Sequence, residues 1–195
     1  MHLPVCVADL DSDILCSDCQ KKLDSGQITQ FDVDFSKWIL TRQEQFPAIE
    51  DLTLFGALNV SSRLVLVVNK KGRDILLSLP DLLEELRATY GEVVILERPA
   101  NLRKLVRELI HPAIETGVNS LYLPDGSREN VVMLRAEDRP RIGYSLEDLR
   151  RIVTAVMEEQ AIFQYQEEGT PKKSKASSDD FEQRMKDFTR RQARR

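Results

Sequence analysis

Residues 64–86, LVLVVNKKGRDILLSLPDLLEEL, fall without a gap on residues 131–153, VVMLRAEDRPRIGYSLEDLRRIV, when the chain is shifted by 67 positions. Within that window ILLSLPDL and IGYSLEDL share Ile, Ser, Leu, Asp and Leu. A repeat of this length restricts the fold more than any single motif. Each copy must form the same supersecondary unit and bury its apolar face against a neighbour. Carried backward, the shift sets Phe35 and Trp38 on Leu102 and Leu105, and Leu54 and Phe55 on Leu121 and Tyr122. Carried forward, it sets Ile95 and Leu96 on Ile162 and Phe163. Two unrelated units with one element order would share part of this pattern. Duplication is the stronger reading because apolar positions stay in phase over five elements.

The elements follow from periodicity and breakers. Phe31, Phe35, Trp38 and Ile39 share one helical face, so a helix is expected over 31–46, closed by Pro47. A strand is expected over 51–58. RLVLVV (63–68) is a continuous apolar run of strand length and reads as buried. One helical turn at 72–77 precedes a helix opened by Ser78, Pro80 and Asp81 and ended by Gly91, with a strand at 93–96. The second copy gives helix 101–110, strand 118–123, a turn PDGS at 124–127, strand 130–135, helix 146–158 and strand 161–165. The fold class is therefore α/β (α+β), with two tandem units. Residues 1–30 form a Cys-rich segment whose first 24 residues read as loop. Residues 31–98 and 99–166 are the two units. Residues 167–195 form a polar linker, expected to be disordered, and a basic amphipathic tail helix carrying Phe181, Met185 and Phe188 on one face.

Charge divides the chain. From Thr170 onward nine Lys/Arg stand against four Asp/Glu, so residues 1–169 carry −9 while the whole chain carries −4. An acidic body repels a phosphate backbone and a basic tail attracts one. No apolar run approaches the ~20 residues that span a bilayer, and the N-terminus lacks the basic start and apolar stretch of a signal peptide. All three cysteines, Cys6, Cys16 and Cys19, lie near the start. An odd, clustered set suits a metal knuckle in a reducing compartment better than a disulfide framework. A cytoplasmic location is expected.

Zinc in a structural knuckle takes four tetrahedral ligands, most often thiolates. Cys6, Cys16 and Cys19 supply three, and Asp9 stands three residues after Cys6 where a fourth belongs. His2 is an alternative fourth ligand, and a decayed knuckle with free thiols is the bland reading.

The order helix–strand–strand–helix–turn–helix–strand resembles a type II KH domain. With Cys6-x-x-Asp9, Leu15-Cys16-x-x-Cys19, Ser25-Gly26-Gln27-Ile28 and GVNSLYLPDGS (117–127), the chain is similar, from Pro4 to about Tyr165, to archaeal NusA-like proteins that join a zinc knuckle to KH units. That resemblance implies RNA binding through an I-G-x-x-G turn, whose glycines let backbone amides approach phosphates. The first unit reads Ile75-Leu76-Leu77-Ser78-Leu79, with leucine at both glycine positions; the second reads Ile142-Gly143-Tyr144-Ser145-Leu146 and keeps one glycine. Candidate RNA contacts are Arg135, Arg139, Arg141, Gly143, Tyr144 and Ser145 in the second unit. Lys70, Lys71 and Arg73 stand in the first, and Arg190, Arg191, Arg194 and Arg195 in the tail. Charges in such clusters are commonly solvated loop.

Two histidines outside any catalytic cluster, with no P-loop and no dinucleotide fingerprint, leave no basis for an enzyme or a small-molecule substrate. The expectation is a non-catalytic RNA-binding accessory factor of transcription or translation. It would take single-stranded or ribosomal RNA, with a transcription or ribosome-associated protein as a possible partner. The alternative is a protein-interaction scaffold that keeps the KH fold without RNA.

Overall fold

RLVLVV becomes the central strand of a sheet buried on both faces. The computed structural model describes residues 1–12, 14–122 and 128–166, of which Met1–Tyr165 form one compact unit. Helix α1 spans Val7–Ser12, α2 Ser17–Asp24 and α3 Gln30–Thr41. A short 3-10 segment, Pro47–Asp51, leads to strand β1 (Leu54–Val60) and β2 (Arg63–Val68), then α4 (Lys70–Leu77), α5 (Pro80–Tyr90) and β3 (Glu92–Glu97). The second copy gives α6 (Leu102–Ile110), β4 (Gly117–Tyr122), β5 (Arg128–Arg135), a 3-10 segment at Ala136–Arg141, α7 (Leu146–Met157) and β6 (Gln160–Gln166). The fold is α+β. Its strands form two three-stranded sheets, ordered β1-β2-β3 and β4-β5-β6. β1 and β4 run antiparallel to β2 and β5, and β2 runs parallel to β3.

The first sheet is covered on both faces. Leu64, Leu66 and Val68 join a core with Phe35, Ile39, Leu76, Leu82 and Leu86 of α3–α5. Val65, Val67 and Leu96 join a second core with α6, α7 and strands β5 and β6. Helix α7 lies against β1 and β2. This is why β2 tolerates no polar alternation: five of its six residues are buried. β5, by contrast, buries Asn130, Val132 and Leu134 and leaves Val131 and Met133 partly open, the period of two expected when one face is solvated.

The gapless shift fails upstream of β2. Val60 pairs with Arg63 across a two-residue turn, Ser61–Ser62, both with positive φ, as a primed hairpin turn requires. In the second sheet Ser120 pairs with Asn130, so the loop is longer. Leu121 and Tyr122 are therefore not the structural counterparts of Leu54 and Phe55. Gly91 sits beneath the first hairpin at φ +89°, where an added Cβ would lie 2.5 Å from the Ser62 carbonyl oxygen. Only glycine fits both the dihedral and the gap.

Three local expectations are corrected. Residues 1–24 are not a loop: α1 and α2 carry Leu10 and Cys19 into the first core alongside Leu3 and Val5. His2 extends the sheet edge, its N–H donating to the Leu52 carbonyl at 2.8 Å while its carbonyl accepts from the Leu54 N–H at 2.9 Å. Helix α3 ends at Thr41, because the Arg42 N–H turns back to the Ile39 carbonyl and tightens the last turn. Ser78 does not cap α5. The cap position is Leu79, and the Ser78 hydroxyl donates to the Ile75 carbonyl instead. Capping boxes do form at Thr29/Asp32 and Ser145/Asp148. Among the described residues no helix is long and apolar enough to cross a membrane.

Candidate functional site

The first site is built by two short helices meeting at their starts. Cys6 precedes α1, and its carbonyl accepts from the N–H groups of Asp9 and Leu10 at 3.1 and 3.3 Å. Cys16 is the N-cap of α2, with its side chain uncommitted to capping, and Cys19 lies in the first turn. The Asp9 carboxylate accepts from the Cys16 N–H at 3.1 Å, pinning α2 against α1. One potential ligand atom from each of Cys6, Asp9, Cys16 and Cys19 then lies within 4.8 Å of the others. These four could hold a metal ion. The structure brings Asp9 into the group and leaves His2 in the sheet pairing.

Asp9 and Cys19 perturb one another's titration. Hydrogen bonds from the Cys19 and Cys16 thiols and from the Cys16 N–H hold the Asp9 carboxyl below its usual range. Burial and the Asp9 carboxylate push the Cys19 thiol up to about 12. Two buried anions side by side are unfavourable unless a cation neutralises them, so metal binding here must release protons.

At the first turn, Leu76 is fully buried. The Ser78 N–H donates to the Asp74 and Ile75 carbonyls, and the Leu79 N–H to the Leu76 carbonyl. These turn amides are spent on α4 and cannot serve a phosphate. Lys71 and Arg73 are paired with Asp51 and Glu97 at 2.8 and 3.2 Å, while Lys70 is exposed on α4.

The second turn holds a contact that local patterns did not indicate. Arg63, from β2, donates from Nη1 to the Gly143 carbonyl at 2.7 Å and lies 4.6 Å from the centroid of the Tyr144 ring. Its Nε is held by Glu92 at 2.5 Å. A Cβ on Gly143 would stand 3.2 Å from the Arg63 Nη2. The open side of Gly143 thus faces a guanidinium. Nearby, Ser61 Oγ donates to Asp148 at 2.6 Å. The one sequence signal for this role is that a lone arginine heads an otherwise apolar buried strand.

Beside this turn, Arg139, Tyr144, Ser145, Leu146 and Tyr165 line a cavity of about 460 Å³. Arg139 is exposed and lies 5.7 Å from the centroid of the Tyr165 ring. Tyr165 was not among the residues expected from sequence. Arg141 is paired with Asp138 at 3.3 Å and Arg135 is exposed at the end of β5. The structure thus brings Arg139, Tyr144 and Ser145 together and directs Arg141 to a carboxylate. Arg190, Arg191, Arg194 and Arg195 lie outside the described residues.

No family model matches the chain, and no curated protein is similar to it. Among solved structures it is similar to one titled "Crystal structure of APE1850", at 14% identity and a TM-score of 0.42, covering 64% of this chain and 96% of that one. A likeness this distant carries no argument about function.

Proposed function

We propose that the protein is a non-catalytic RNA-binding accessory factor in which a zinc knuckle braces the first of two KH-like units. The observation that supports RNA is the cleft at the second turn, where Arg139 stands with Tyr144 and Tyr165. Cations beside aromatic faces suit single-stranded nucleic acid, since bases stack on rings while guanidinium groups meet phosphate. The acidic body argues that much of the sequence-independent attraction resides in the basic tail.

Filter binding of a single-stranded RNA across a salt series tests this reading. Arg139→Ala should weaken binding severalfold and flatten the salt slope by ~0.7, the expectation for one lost phosphate contact on a single strand. Deleting 170–195 should flatten the slope further. If the full chain binds no RNA at low salt, the second reading holds: a protein-interaction module on a KH-like scaffold. That reading is favoured by the spent amides of the first turn and by Arg63 on Gly143.

Zinc suits the knuckle on geometry. Two thiolates on a tetrahedral zinc with Zn–S of about 2.3 Å lie about 3.8 Å apart, and the Cys6 and Cys19 sulfurs are separated by 3.6 Å. Freshly purified, reduced protein should carry up to one zinc per chain. Cys16→Ser should release it and loosen residues 1–24 while the two units stay folded; the exposed Cys16 side chain leaves no cavity in the core. Elemental analysis that finds no zinc in the reduced wild-type protein refutes the metal assignment.

A further inference from the structure

We propose that Cys6 and Cys19 form a redox couple that closes into a disulfide when the knuckle is free of metal, leaving Cys16 as a free thiol. The inference concerns the same cluster as the zinc assignment, but the disulfide itself does not depend on that assignment. Its basis is placement. The Cys19 and Cys6 Sγ atoms stand 3.6 Å apart. A disulfide needs the sulfurs to close from there to ~2.0 Å, a movement of roughly 1.6 Å. The two residues differ in access: Cys6 is exposed and Cys19 is buried in the first core. An oxidant in solution therefore meets Cys6 before Cys19, which is the apposed resolving partner; Cys16 is exposed as well.

Cys16 is placed differently. It occupies the N-cap of α2, and its N–H is tied to the Asp9 carboxylate. The anchor that fixes α2 against α1 therefore survives closure of the other two thiols. Cys6 and Cys19 come from separate segments, the start of α1 and the first turn of α2. A bond between them would lock the two helix starts together as a metal ion would.

With a hydroperoxide as oxidant the chemistry balances. The Cys6 sulfur attacks the terminal peroxide oxygen, the O–O bond breaks, and Cys6 becomes a sulfenic acid as an alcohol or water departs. The Cys19 sulfur then attacks the Cys6 sulfur, the S–O bond breaks, and the hydroxyl leaves as water with the Cys19 proton. Two thiols and one hydrogen peroxide give one disulfide and two waters. Closure removes two of the three thiolate ligands, so oxidation and metal occupancy exclude one another.

The test uses the full chain, stripped of metal with a chelator, treated with one equivalent of hydrogen peroxide, alkylated and mapped by mass spectrometry. A Cys6–Cys19 cross-link with alkylated Cys16 is expected, and Cys16→Ser should give the same cross-link. Cys6→Ser should lose it. A Cys16–Cys19 cross-link, or sulfinic and sulfonic products with no cross-link, overturns the proposal. Preloading with zinc should slow cross-linking severalfold. If zinc gives no protection while the Cys6–Cys19 bond still forms, the zinc assignment falls and the redox couple stands.

Discussion

Leu76→Asp should abolish folding of the first unit, whereas Leu77→Asp, one residue on, should be tolerated. Both positions belong to the segment that resembles an RNA-clamping turn, and their fates diverge because of helix phase. Leu76 is fully buried in the core beneath α3–α5, and Leu77 is 56% exposed. Truncation of such a leucine to alanine costs about 2–5 kcal/mol. An aspartate adds the penalty of an unpaired charge in an apolar surround, worth several kcal/mol more. The sum rivals the ~5–15 kcal/mol by which domains of this kind are stable. Leu77→Asp should stay within ~0.5 kcal/mol of wild type, as surface changes do. Urea denaturation followed by circular dichroism distinguishes the two. A folded Leu76→Asp protein with an unchanged midpoint would refute the core assignment. The same experiment guards the RNA assay, because loss of binding in Leu76→Asp would report unfolding and not a lost contact.

Asp32→Ala should destabilise the protein by about 3 kcal/mol, through polar groups left behind more than through the charge removed. Asp32 is buried and acts on two elements at once. Its Oδ2 accepts from the Thr29 N–H and hydroxyl, each at 2.7 Å, and its Oδ1 accepts from the Ala57 N–H at 2.7 Å. The carboxylate closes the capping box of α3 and takes up a β1 amide just past the irregularity in pairing between Leu54 and Gly56. Alanine leaves the Ala57 and Thr29 amides without acceptors. Asparagine should also destabilise, since its NH₂ would face a donor at Thr29 if its oxygen stays on Ala57. Equilibrium denaturation of both variants measures the effect. A shift below 1 kcal/mol for Asp32→Ala would mean that water replaces the lost acceptor, contrary to this account.

Local periodicity carried the element order. Helices α5, α6 and α7 lie where apolar spacing and the breakers place them, α3 starts where expected but ends early at Thr41, and RLVLVV is a buried strand because nothing polar interrupts it. The clustering of Cys6, Cys16 and Cys19 was also legible from their short spacing, with Asp9 and His2 both open as the fourth member. Loops break the correspondence. The shift of 67 does not extend upstream of β2, because the two hairpins differ in loop length. The N-terminal segment shows no helical signal in sequence, because helices of six and eight residues are too short to show a period.

The sequence by itself therefore determined the α+β class, the repeated order of elements and the three cysteines of the cluster, since all three depend on neighbours within a few turns of chain; the structure chose Asp9 over His2 as their companion. Only the tertiary structure decided what covers the second face of β2, what faces Gly143 and where Asp32 spends its charge. Arg63 reaches Gly143 across 80 positions and Asp32 reaches Ala57 across 25. Such pairings leave no periodic trace in either partner, because a hydrogen bond depends on where two backbones pass in space and not on the spacing of residues along one.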